Sequence, residues 1–196
     1  VFGGGDGGTG TIEYIAIDTT SNTTSFGNLS SSRSRLGGCS NGSRGLFAGG
    51  NVSDVIDYIT VSSTSNATDF GNLSVSRRMA GAASDGTYGI FGGGWASGYK
   101  DEIDYVTIET TGNASDFGDL TAARRGGAGC SDGTYIVWGG GVLSSGNETN
   151  ILDYVTAAST GNASDFGDLT AGRGSNASFS STTRGVWAAG GDMGTA

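Results

Sequence analysis

Histidine is absent from this chain of 196 residues. Its absence removes the usual general base, every Ser-His or Cys-His nucleophile pair and the commonest zinc ligand. Lysine occurs once, as Lys100, so the glycine runs at Phe91 (FGGG) and Trp138 (WGGG) lack the lysine that a phosphate-cradling loop needs. Only 10 basic residues stand against 19 acidic ones, a net charge of −9. That balance repels nucleic-acid phosphates and anionic membrane surfaces, so neither partner is expected. Proline is absent as well, long apolar runs are missing, and no helical period appears. Carboxylate pairs do occur, Asp116 with Asp119 and Asp165 with Asp168, but the first two copies replace them with Ser25 and Asn28, and with Asp69 and Asn72. Turn capping explains such exchangeable residues better than acid/base work or calcium. No enzyme, cofactor or metal is expected.

What the chain does have is a decapeptide copied four times: SNTTSFGNLS at 21–30, SNATDFGNLS at 65–74, and GNASDFGDLT at both 112–121 and 161–170. A period of 44–49 residues is the mark of a tandem-repeat array, in which each unit buries its apolar face against a neighbour. Landmarks keep fixed distances. Tyr14, Tyr58, Tyr105 and Tyr154 each stand 12 residues before Phe26, Phe70, Phe117 and Phe166. Seven residues later come Arg33, Arg77, Arg124 and Arg173, and 14 beyond these the aromatics Phe47, Phe91, Trp138 and Trp187 that open the glycine runs. Length variation falls only between the glycine run and the next tyrosine, in the loops DGGTG, NVSD, WASGYKDE and VLSSGNETN.

Gly makes up 39 residues, and the best segments, IEYIAI (12–17), IDYITV (56–61), IDYVTI (103–108) and LDYVTA (152–157), alternate with the period of two that marks a strand. The expected class is all-β: four tandem four-stranded units. Strand A lies around GAGCSD, B ends at the glycine run, C is the D-Y segment and D holds the decapeptide phenylalanine. Asn41-Gly42, Asp85-Gly86 and Asp132-Gly133 predict a two-residue hairpin loop between A and B. The repeated arginines are expected to bridge carbonyls or carboxylates between units, with Glu13, Asp57, Asp104 and Asp153 as inter-unit partners. The glycine runs are read as places where a backbone or an aromatic ring comes close. Cys39 and Cys130 occupy one core-facing position two units apart, too far for a disulfide, and are expected to be buried free thiols.

An apolar run ending in Gly-Gly followed by a tyrosine, within a four-stranded unit, resembles the blades of kelch-type β-propellers, and the likeness covers the whole chain. Kelch blades usually carry a tryptophan soon after that tyrosine, whereas this chain places a phenylalanine 12 residues on. The decapeptide is also similar to divergent kelch-like repeats of marine phage and environmental sequences. The resemblance implies propeller blades, while strand-B segments at both ends make a closed four-bladed ring of this chain alone awkward. They leave a segment of a longer propeller, an open β-solenoid or fibre segment, or units completed by strands from neighbouring copies. Residues 1–196 are read as a single array, with units at about 2–46, 47–90, 91–137 and 138–186 and a partial unit at 187–196. Lacking an initiator Met and a signal peptide, it is expected to be a segment of a longer protein or polymer.

Ten of the 11 asparagines begin Asn-X-Ser or Asn-X-Thr: Asn22, Asn28, Asn41, Asn51, Asn66, Asn72, Asn113, Asn147, Asn162 and Asn176. Chance, with about a quarter of residues being Ser or Thr, would place roughly three there. The expectation is an extracellular, cell-surface or virion-surface protein carrying covalent N-linked glycans at these positions. Its function is read as structural, the glycosylated core of a fibre, filament or surface assembly that self-associates end to end. The alternative is a carbohydrate- or cell-surface-binding propeller, an adhesin, lectin or phage fibre module. Trp95 and Tyr99, in the third variable loop, would then stack on a sugar ring.

Overall fold

A computed structural model describes residues 1–5 and 9–191; Asp6–Gly8 of the first variable loop and 192–196 of the partial unit lie outside the described residues. Every regular element is a strand, and no helix occurs among the described residues. A three-stranded sheet comes first, made of β1 (Phe2–Gly3), β2 (Thr11–Tyr14) and β3 (Thr24–Asn28). Next come β4 (Gly37–Ser40), β5 (Arg44–Ala48), β6 (Ser53–Thr60) and β7 (Thr68–Arg77), then β8 (Gly81–Ser84), β9 (Tyr88–Trp95), β10 (Tyr99–Thr107) and β11 (Ser115–Asp119), each set one antiparallel sheet. After β12 (Arg124–Arg125), a third such sheet joins β13 (Ala128–Ser131) and β14 (Tyr135–Gly139) to β16 (Ile151–Thr156) and β17 (Ser164–Asp168). Between them β15 (Val142–Leu143) pairs with β12, and β18 (Ala177–Ser180) pairs with β19 (Gly185–Ala188) at the end of the chain. None of these sheets closes into a barrel. The four-stranded sheets keep the expected A-B-C-D order, and each begins one strand ahead of the glycine-run phase at which the sequence units were divided.

Apolar alternation puts the core between sheets. One cluster joins Ile12, Phe26 and Leu29 to Ile59; the next joins Leu46, Ile56, Phe70 and Leu73 to Phe91, Val106 and Ile108; a third joins Ile90, Ile103, Phe117 and Leu120 to Ile136, Trp138 and Val155. Each unit is therefore covered by the next, the dependence on neighbours that tandem repeats show. The glycine runs supply the close approach expected of them. Trp138 lies against Gly92 and donates its ring N–H to the Gly81 carbonyl at 3.0 Å, and Trp187 repeats this on Gly139 and the Ala128 carbonyl, also at 3.0 Å.

The constant spacing of 12 from tyrosine to phenylalanine is the C–D hairpin. Tyr14–Phe26, Tyr58–Phe70, Tyr105–Phe117 and Tyr154–Phe166 meet edge to face with centroids 5.5–6.0 Å apart. All four hairpins shift register at the same place, between Ile12/Glu13, Ile56/Asp57, Ile103/Asp104 and Leu152/Asp153. The phenylalanine there is left without a strand partner, a β-bulge. Without it Phe26 and Leu29, three residues apart, would face opposite sides; with it both are buried. The A–B hairpins are tight, as expected, but their two central residues are Gly42-Ser43, Gly86-Thr87 and Gly133-Thr134, one residue further on than the Asn-Gly and Asp-Gly pairs suggested. Asn41, Asp85 and Asp132 precede the loop, and their side-chain oxygens accept the N–H groups two and three residues on.

Candidate functional site

The repeated residues converge on one place, the seam between consecutive units. Arg77 ends strand D of one unit and is fully buried; its guanidinium reaches into the next, donating to the Phe91 and Glu102 carbonyls and, at 2.8 Å, to the Asp104 carboxylate. Arg33 meets Asp57 at 2.5 Å and Arg124 meets Asp153 at 2.7 Å in the same way. All three acids have zero exposure. The last residue of the decapeptide completes the pocket. Ser74 donates both its N–H and its hydroxyl to Asp104, and Thr121 does the same to Asp153, while Ser30 gives its N–H to Asp57. Each buried carboxylate is thus matched by one guanidinium and by donors from the preceding decapeptide, although Oδ1 of Asp57 is buried without a partner.

A second line of contacts runs along the seam through the decapeptides themselves. The side-chain oxygen of Asn66 accepts the N–H of Asn28 at 3.0 Å, that of Asn113 the N–H of Asn72 at 3.1 Å, and that of Asn162 the N–H of Asp119 at 3.1 Å. The carbonyls of Asn28, Asn72 and Asp119 in turn accept the N–H groups of Ala67, Ala114 and Ala163. A third, inner line is all backbone: Met79 donates to Arg35, Gly126 to Met79 and Ser175 to Gly126.

Asn22, Asn66, Asn113 and Asn162, one per unit, are all exposed. The amide nitrogens of the last three donate no hydrogen bond among the described residues, although their oxygens are engaged. An N-linked glycan attaches at that nitrogen and leaves the oxygen an acceptor, so these positions can serve the seam and carry sugar together. Asn28, Asn51 and Asn147 are exposed as well. Asn41, Asn72 and Asn176 are half-buried. The amide nitrogen of Asn41 is held by Glu109 at 2.6 Å and that of Asn176 by the Gly139 carbonyl at 3.0 Å, bonds that a glycan would disturb.

Trp95 and Tyr99 face each other across the tip of the β9–β10 hairpin, both half-buried. Arginines of neighbouring segments lie over the rings, Arg78 at 4.5 Å from the Trp95 ring and Arg125 at 5.6 Å from that of Tyr99. Arg78 and Trp95 also exchange backbone hydrogen bonds. Neither arginine was singled out from the sequence. Their signal is weak, since each merely follows the invariant arginine of its unit and the other two units place Ser34 and Gly174 there.

Cys39 and Cys130 are free thiols, half-buried and buried. Burial pushes Cys39 up to about 12 and Cys130 up to about 11. At pH 8 the folded chain is therefore expected to resist iodoacetamide at both, with labelling only after denaturant is added. Fast labelling of the native chain would contradict the packing. The unfolded thiol has a pKa near 9.0, so this contribution to stability is present below pH 9 and lost as the pH rises towards 12. Among the described residues no group of three or more His, Cys, Asp or Glu is placed to hold a metal ion. No protein-family model matches the chain, and no curated protein sequence matches it.

Proposed function

We propose that this chain is a structural, extracellular tandem-repeat scaffold of kelch-like four-stranded units, with N-linked glycans on its surface, and that the array continues end to end. The observation that carries this reading is the pair of unmatched end faces. At one end Glu13, counterpart of the buried Asp57, Asp104 and Asp153, is exposed beside Ile15 at 40%, Ile17 at 94% and Phe2 at 60%. At the other, Phe166 is 57% exposed and Phe179 65%, whereas Phe26, Phe70 and Phe117 lie under the next unit. Arg173 there reaches only the Ala189 carbonyl and has no carboxylate partner among the described residues. One end thus offers the acid and aliphatic half of a seam and the other the arginine and aromatic half. A further unit of the same kind, in the same polypeptide or in a second copy, fits either end.

Glycosylation is tested by the intact mass of native material before and after enzymatic deglycosylation. The expected result is a mass that falls on treatment. Peptide mapping is expected to find sugar at Asn66, Asn113 and Asn162 and none at Asn176. A mass unchanged by deglycosylation would remove the glycan part of the proposal.

A further inference from the structure

We propose that Arg35, Arg78 and Arg125, together with Trp95 and Tyr99, form a binding site for an acidic saccharide, one bearing carboxylate or sulfate groups. This goes beyond the scaffold reading and does not depend on it. Ion pairs occupy Arg33, Arg44, Arg77, Arg124 and Lys100. No carboxylate among the described residues pairs with Arg35, Arg78 or Arg125. In a chain with 19 acidic residues, three unpaired arginines at one place are a departure from the general charge balance.

The inner backbone line brings them together. Arg35 accepts from Met79, the neighbour of Arg78, and Met79 accepts from Gly126, the neighbour of Arg125. The Arg125 guanidinium also lies 4.0 Å from the Met79 sulfur. Burial lowers the pKa of Arg78 from its ordinary value, and the like charges of Arg35 and Arg125 lower it further. An anion placed among the three would relieve that repulsion.

Two features favour a sugar over a simple ion. Trp95 and Tyr99 hold two of the guanidiniums against their rings, so that their remaining N–H groups can meet a carboxylate or a sulfate with little ordering cost. The Nε groups of Arg78 and Arg125 are themselves buried without a partner. Trp95 and Tyr99 are half-buried, so part of their apolar surface stays open beside the guanidiniums, and an anion next to an apolar face is the chemistry of an acidic saccharide.

The experiment is calorimetric titration of the purified chain with a sulfated tetrasaccharide, a hexuronate tetrasaccharide, a neutral tetrasaccharide and inorganic sulfate. Binding of at least one acidic sugar, weakened by added salt, is expected, with none of the neutral one. Arg35→Gln should weaken it about tenfold, the scale of one charge-assisted contact, and Arg125→Gln at least as much. Arg35 is exposed and its side chain makes no hydrogen bond, so thermal unfolding of R35Q should match the parent and separate lost binding from lost fold. Unchanged affinity in R35Q and R125Q, equal binding of the neutral sugar, or no binding at all would overturn the site. Inorganic sulfate competing as well as the sugars would overturn its assignment to saccharides.

Discussion

Asp104→Ala is expected to destabilise the chain by about 3–5 kcal/mol, read as a large drop in the urea midpoint. The cost comes less from the lost attraction than from what is left behind. Arg77 has no exposed side-chain surface, and without Asp104 its charge is held by two carbonyls alone, at Phe91 and Glu102. Ser74 loses the acceptor for both its N–H and its hydroxyl. Removing both charges changes the sign of the argument. Arg77→Met with Asp104→Leu fills similar volume with apolar atoms, and buried ion pairs replaced in this way are often neutral or better. The double variant should therefore recover most of the loss, and a double variant as unstable as D104A would show that the pair itself stabilises the seam.

Gly118→Ala should be nearly as damaging. Gly118 sits at φ 145°, in the region that side chains avoid, and an added methyl would run into the backbone of Gly161 and Asn162 of the next unit. Backbone strain of about 1–3 kcal/mol and overlap of similar size combine there. Gly133 gives the control. Its φ is 94°, yet nothing lies within 4 Å of an added methyl, so Gly133→Ala carries the strain without the collision. G118A should unfold at clearly lower urea than G133A, and equal midpoints would mean that the decapeptides do not press on each other as described.

These two residues also show what could be read in advance. The Arg–Asp seam was legible because both members recur at fixed spacing, and a buried pair needs both in every copy. Strand order and the aromatic-on-glycine contact were legible for the same reason. The decapeptide's closing Ser or Thr is just as regular and reaches the same Asp104, but a hydroxyl fits any turn and so points to no particular partner. The seam contacts of Asn66, Asn113 and Asn162 were hidden because the sequon pattern already offered a reading of them. Arg78 and Arg125 were hidden because they do not recur in all units: their partners Trp95 and Tyr99 belong to a variable loop. That loop was expected to hold its aromatic rings free, and instead it folds back on the D–A connection, with Arg78 bridged to Trp95. The fourth variable loop does likewise, its β15 pairing with β12. Loop-to-connection pairing of this kind depends on loop length and on the preceding unit, neither of which a local pattern records.

Electron microscopy of the native material tests the scaffold most directly. Seams continued at both end faces predict unbranched fibres or extended arrays in which the four-stranded unit repeats along the axis without interruption. Discrete closed rings of one fixed diameter, with no continuous arrays, would contradict it.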